Sequence, residues 1–444
     1  MNELEKAKAF LAPKFRQILQ FVMKQGIAVA GNLVYGLLCV RLLPVPEYAK
    51  FAVLFGYMGS LTVLLDMGIA GTLAPLVGEQ IANLELIANY LASLRRLALK
   101  LYVVAAPLSI LVFVLLVQRR HWGFWVVAQM AVVLLIAAWV ARVSGSYGSV
   151  LILRRDRAHY YRAQIAGSLG SLALLLAFWA AHRLNIYVGI LLNLAQITYI
   201  ASTYFLRARH LLGVKGKSSP EKEKAIIRLA TPNVPGVIFY SIQGQVTLML
   251  ITVFGHSSTS VANIGALNRL SQILVFFSQM NPILVEPFFA RLPAARLKRT
   301  YLLALGLVAI CASAFSALAF VFPRMFLWIL GHNYSELHSE VSLVILASAI
   351  QYIAGFIWVV NSSRRFVYWW NNFAIIVFTL LVEASFIWKF DLSSIQNVLI
   401  LNIASAFVSL SMAVAATIYG FVRGPQKLDS AHLNETPQPL ETAT

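Results

Sequence analysis

Six charged residues fall inside stretches too apolar to belong in water: Lys24, Asp66, Arg142, Arg269, Glu286 and Glu383. A charge at membrane depth is costly unless it faces a cavity or a partner, which makes each a candidate for function. The cations suit an anionic ligand, because arginine grips phosphate oxygens through a planar fork and lysine neutralises as a point charge. At a rise of about 1.5 Å per residue, Lys24 and Arg142 lie roughly 9–11 Å from the nearer ends of their runs and Arg269 roughly 12 Å, where snorkelling to water is hardest. Asp66 has two readings, charge pairing with Lys24 or Arg41 and a role in gating. Glu286, between Pro282 and Pro287, and Glu383, near the end of its run, are expected at an interface rather than in a coupling site. Uncharged amides join them in the apolar runs: Asn32, Gln243, Gln245, Asn268, Gln272 and Gln279. Such groups bind sugar hydroxyls or hold helices together. No HExxH, GxSxG or paired-carboxylate motif is present, and the eight histidines are scattered, so an enzyme is not expected. Cys39 and Cys311 stand far apart, and neither a disulfide framework nor a CxxC metal site arises. No cofactor is expected.

The elements that must carry these residues follow from composition. Of 444 residues, 59% are hydrophobic and 12% charged, with a mean hydropathy of +0.75. A soluble domain cannot hide so much apolar surface, and the runs approach or exceed the ~20 residues that cross a bilayer. Backbone groups in lipid must be satisfied internally, so an all-α integral membrane protein is expected. Helices are predicted near 18–42, 50–77, 97–117, 122–149, 160–181, 184–206, 229–254, 261–290, 300–322, 341–361, 366–388 and 395–421, about twelve in all. Lysine and arginine alternate with this segmentation. Of the 36, one alternate set of connections holds 26 and the other seven, namely Arg41, Lys50, Arg119, Arg120, Arg183, Arg324 and Lys389. Both termini are therefore expected in the cytoplasm. The net charge of +19 becomes an orientation signal and a contact for lipid headgroups, with no nucleic-acid partner.

Residues 1–17 lack an apolar core and read as a cytoplasmic interfacial segment. Two lobes of six helices are expected, over 18–206 and 229–421. They are joined by a basic linker over 207–228, in which Ser219 can cap a helix that opens on Pro220. The tail over 422–444 is polar and expected to be disordered. Shifting the first lobe by 213 residues places Gly31 on Gly244, Val40 on Val253, Phe51 on Ile264 and Ala52 on Gly265. Repeated halves with a site between them are a common plan of transporters. Pro232, Pro235 and Gly236 open the seventh helix, Pro282 and Pro287 interrupt the eighth, and Pro107 lies within the third, marking candidate kinks. Trp122, Trp125, Trp328, Trp369, Trp370 and Trp388 fit interfacial belts.

The sequence VRLLPVPEYAKFAVLFG over 40–56 and LLDMGIAGTLAPLVGE over 64–79 resemble the opening of the polysaccharide-transport flippases of the multidrug/oligosaccharidyl-lipid/polysaccharide exporter superfamily. Arg41, Leu42, Leu43, Pro44, Glu47, Tyr48, Phe51, Asp66 and Gly68 match, while Ala49 stands where glycine is usual. RLATPNVPGVIFYSIQGQVTLMLITVFG over 228–255, with 261–274 after it, is similar to the corresponding part of the second half. The resemblance implies a multi-pass protein of the bacterial inner membrane with two lobes about a central cavity. It implies a flippase working by alternating access on a polyprenyl-diphosphate-linked oligosaccharide, for O-antigen, capsule or exopolysaccharide assembly. Partners would be membrane lipids and polysaccharide polymerase machinery. Arg269, Lys24 and Arg142 would bind the diphosphate headgroup. Asp66 and Arg41 would serve gating or charge pairing, and Asn32, Gln243, Gln245, Asn268 and Gln272 would contact sugar. A MATE-type multidrug or cation antiporter is the alternative, and a membrane enzyme of polysaccharide assembly a remoter one.

Overall fold

In a computed structural model the chain is described over residues 26–424, except 68, 78, 79, 81, 82, 119, 121, 155, 215, 232, 233, 256 and 279. The segment 1–17, Lys24, Gln279 and all but the first residues of the 422–444 tail therefore lie outside the described residues. The apolar runs become helices, since only a helix satisfies a run's backbone within the run. They are α1 Gly26–Leu42, α2 Val45–Asp66, α3 Leu73–Val77, α4 Leu84–Gln118, α5 Phe124–Leu153, α6 Arg157–Ala180, α7 Ile186–Leu212 and α8 Pro220–Ala230. Then follow α9 Val234–Gln243, α10 Val246–Phe254, α11 Ser258–Ser278, α12 Asn281–Arg291, α13 Ala294–Val321, α14 Pro323–Leu330, α15 His338–Ser363, α16 Trp369–Lys389 and α17 Ile395–Arg423.

Among the described residues nine helices are long and apolar enough to cross a membrane: α2, α4, α5, α6, α7, α13, α15, α16 and α17. The other three expected spans are helical but incomplete or interrupted. α1 is described only from Gly26, the run 229–254 divides into α9 and α10, and the run 261–290 divides into α11 and α12 just ahead of Pro282. The seventh run bends by 58° between α8 and α9, where the prolines expected to kink it lie, and breaks again at Gly244–Gln245. Pro235 sits in the first turn of α9, where its missing N–H has no carbonyl to bond. α4 continues unbroken through Pro107.

α4 to α7 pack among themselves with α2, and α1 joins them through Tyr35, whose hydroxyl donates to the Gly189 carbonyl at 2.6 Å. α12, α13, α15, α16 and α17 form the second bundle, and α2 lies against α9 and α11 where the two meet. The linker is mostly helical. α7 runs on to Leu212, and Ser219 caps α8 by accepting from the Lys222 N–H at 3.3 Å, as expected. α8 docks on the first bundle, with Glu223 meeting Lys100 at 2.6 Å and Arg96 at 3.6 Å while Ile226 and Ala230 are buried.

The cores show how the bundles sit. At the end carrying the α1–α2 turn, one core takes Tyr48, Phe51 and Met130 from the first bundle and Leu267, Leu330 and Val341 from the second. At the other end each bundle keeps its own core, around Leu91, Tyr204 and Ile226 in the first and Phe289, Phe356 and Phe366 in the second. The bundles are joined at one end and parted at the other. Exposed tryptophans mark both levels: Trp125 (75%), Trp328 (71%) and Trp388 (91%) towards the joined end, Trp369 (77%) towards the parted end.

Candidate functional site

Between the bundles lies a cavity of about 750 Å³. α1 contributes Asn32, α2 Phe55, the α9–α10 break Gln243 and Gln245, α11 Asn268, Arg269 and Gln272, α15 Gln351, and α17 Asn402 and Ser405. Among the described residues that line it, Arg269 is the one charged group, and no carboxylate takes part.

The Arg269 guanidinium lies 4.2 Å from the centre of the Phe55 ring and 6.0 Å from that of Phe51. Among the described residues no carboxylate forms a salt bridge with it. Ring faces favour a cation without neutralising it, so the charge stays available to an anion entering the cavity. Small residues make the arrangement fit. A Cβ on Gly36 would lie 3.0 Å from Arg269 Nη1, and one on Gly56 would lie 2.6 Å from Gln245 Oε1. Asn32 is tied from behind: Gln196 Nε2 donates to its Oδ1 at 2.6 Å, and Ser171 Oγ stands 2.9 Å from Gln196 Oε1. A held amide is a better recognition group than a free one, because less rotamer freedom is lost on binding.

The structure thus brings Arg269, Asn32, Gln243, Gln245, Asn268 and Gln272 to one cavity. Lys24 lies outside the described residues. Arg142 is not at the cavity. It sits where α5 meets α4, 3.9 Å from the centre of the Trp139 ring, with Nη1 donating to the Arg95 carbonyl at 3.3 Å. Arg41 is exposed at the joined end, 5.5 Å from the centre of the Trp328 ring. Asp66 accepts from the Ala70 N–H at 3.2 Å at the opposite end of α2. A helix of that length separates Arg41 from Asp66 by roughly 30 Å, so these two do not pair with each other. Glu383, expected to be exposed, is half-buried against Gln243, with Oε1 shielded from solvent. Glu286 is half-buried on α12.

Sequence reasoning passed over Gln351, Asn402 and Ser405, although a lone amide in an apolar run is the same signal that singled out Asn32. It also counted Arg120 as a loop cation. Its Nε donates to the Thr252 carbonyl at 2.7 Å, Nη1 to that of Ser257 at 3.0 Å, and Nη2 to that of Ile251. Ile251 and Thr252 lie in the last turn of α10 and Ser257 in the turn after it, so an arginine beyond α4 caps a helix of the facing side. Among the described residues no cluster of three His, Cys, Asp or Glu side chains is placed to hold a metal ion.

No family model matches the sequence. No curated protein matches it either. Solved structures do match. An inward-facing multidrug resistance MATE family transporter of the MOP superfamily aligns with a TM-score of 0.66 at 14% identity, over 91% of this chain and 97% of that one. The lipid II flippase MurJ, in an inward closed conformation, aligns at 0.61 and 11% identity, over 91% and 92%. A MATE protein in complex with MaD3S aligns at 0.57 and 15% identity, over 92% and 95%. Identity this low speaks to architecture alone, and along nearly its whole length the chain has the all-helical fold of the MOP-superfamily transporters.

Proposed function

We propose that the chain is a flippase that moves a polyprenyl-diphosphate-linked saccharide from the cytoplasmic to the outer leaflet of a bacterial inner membrane by alternating access, for O-antigen, capsule or exopolysaccharide assembly. One observation carries this: the cavity between the bundles is lined by amides and hydroxyls around a lone cation, Arg269, with no carboxylate among its described lining residues. A diphosphate would meet the guanidinium, sugar hydroxyls would meet the amides, and the polyprenyl chain would stay in lipid beside the parted bundles. The fold likeness to a lipid II flippase is consistent with such cargo. Lys24, two residues before the described part of α1, would add a second cation. The basic connections put the parted end in the cytoplasm, the side on which a lipid-linked precursor would load. In this proposal α1, the α9–α10 pair and α11 with α12 complete twelve spans, six on each side of the α8 linker. Polysaccharide polymerase machinery would act on the product.

The fold likeness to multidrug MATE transporters favours an antiporter as the second reading. A cationic drug would then meet Arg269 with no acid beside it, which opposes binding by like-charge repulsion. Deletion in the native host, followed by mass spectrometry of membrane polyprenyl-diphosphate glycans, separates the two. A flippase gives accumulated lipid-linked glycan and lost surface polymer, restored by the wild type and not by Arg269→Ala. Unchanged glycan with reduced drug tolerance would establish the antiporter instead.

A further inference from the structure

The break between α9 and α10 is not symmetrical in its backbone groups. α9 ends at Gln243, and three carbonyls of its last turn are occupied: Tyr240 by the Gly244 N–H at 3.0 Å, Ile242 by the Gln245 N–H at 2.9 Å, and Ser241 by the Ser60 hydroxyl of α2 at 2.7 Å. α10 then starts at Val246 with no side-chain cap from Gln245. Its first-turn amides have no carbonyl within their own helix. Gly244, Gln245, Thr247 and Leu248 line the cavity, so this turn opens onto it. The far end of the same nine-residue helix is held by the Arg120 fork, which covers its negative pole. What faces the cavity is the positive pole of a helix whose negative pole is already neutralised.

Two polar side chains also line this wall, and one of them lacks a partner. Thr247, in the first turn of α10, is 6% exposed and lines the cavity. Ser405 of α17, a helix packed on α10, is 5% exposed and lines the same cavity, with Oγ buried and unpartnered. Buried hydroxyls are nearly always bonded, so the unbonded Ser405 hydroxyl on the cavity wall points to a ligand that supplies its acceptor.

We infer that the first turn of α10, with Thr247 and Ser405, is an anion subsite that receives one phosphoryl group of a diphosphate while Arg269 on α11 neutralises the other. This rests on the anionic-headgroup reading above and adds a second anchor to it. The diphosphate is either borne on a lipid or free in the aqueous phase, and backbone amides, hydroxyls and a guanidinium would recognise both.

The test measures binding of inorganic pyrophosphate and of farnesyl diphosphate to the purified full chain in detergent. Thr247→Val keeps the shape and removes one hydroxyl, and Ser405→Ala removes the other; each weakens pyrophosphate by about threefold to fivefold. Thr247→Asp is the sharper variant. A carboxylate in a helix's first turn favours the helix yet puts negative charge in the subsite, so binding falls by about tenfold or more with folding retained. Farnesyl diphosphate binding more tightly than pyrophosphate assigns the lipid-borne source, and equal affinities assign the free one. Thr247→Asp and Thr247→Val both binding within about twofold of wild type, while Arg269→Gln loses binding, would overturn the subsite and leave the headgroup reading standing. Failure of the wild type to bind either diphosphate would remove both.

Discussion

Arg269 shows how a single side chain can be held without being neutralised. Its guanidinium lies over Phe55 at 4.2 Å, with room made by Gly36. A lysine keeps the charge and loses the planar stack and the fork. Under the flippase function proposed above, Arg269→Lys is therefore expected to retain about a tenth of wild-type transport and Arg269→Ala none above background, measured as glycan export at equal protein levels. Asp156 makes a separate prediction outside the membrane. Burial alone would raise its carboxyl, but hydrogen bonds from His159 and Arg207, at 2.7 Å each, outweigh that and hold it below the ordinary range. A depressed folded value means its contribution is complete above the unfolded range near pH ~4 and disappears as pH falls through the folded value. Both partners are partly exposed, so Asp156→Asn should cost about 1 kcal/mol at neutral pH and flatten acid destabilisation below pH ~4, read from thermal melts in detergent. Arg269 could be found from the chain because depth in an apolar run is visible in a string of letters. Arg120 could not, because its partners are backbone carbonyls 131 to 137 residues away, which no side-chain pattern records.

At the level of elements, helix existence followed directly from the apolar runs, whereas only some of the breaks did. Proline marks the 58° bend between α8 and α9 and the break ahead of Pro282, yet Pro107 lies within an unbroken helix and the break at Gly244–Gln245 has no proline. A break depends on what can satisfy the freed groups, and here the Ser60 hydroxyl of a neighbouring helix does so for the Ser241 carbonyl. In the linker the helix capped by Ser219 was legible, but its seat on α4 was not, because that depends on Glu223 finding Lys100 and Arg96 there. The Arg120 cap ties the end of α10 to the first bundle from across the joined end. Arg120→Gln keeps donors but removes the charge and part of the fork, so the joined end should loosen. Spin-label distances between the start of α2 and α14 are expected to broaden or gain a longer component. An unchanged distance distribution would confine Arg120 to a local role.

For the whole molecule, the shift of 213 residues that pairs the two halves sets Ala52 on Gly265, and those two positions meet in space. A Cβ on Gly265 would lie 2.5 Å from that of Ala52. Contact between equivalent positions is the mark of an isologous, two-fold interface, here between α2 and α11 within one chain. The close approach brings Tyr48 beside Tyr334 at a ring separation of 6.4 Å and closes the joined end. The alternating access proposed above would require this contact to part while the separate cores of the two bundles at the other end come together. Neither core has to be rebuilt for that motion, since each lies within its own bundle. A leucine at position 265 has no space against Ala52, and overpacking a tight contact typically costs about 1–3 kcal/mol. That is enough to reverse the preference between two states separated by a few kcal/mol. With Cys39 and Cys311 replaced and one cysteine placed at the cavity residue Ser271, the parent should react with an impermeant thiol reagent from the parted end only. Gly265→Leu should add reaction from the joined end and slow transport by favouring the opposite state. If labelling stays one-sided while the protein remains folded, α2 and α11 are a fixed seam and the bundles must move about some other contact.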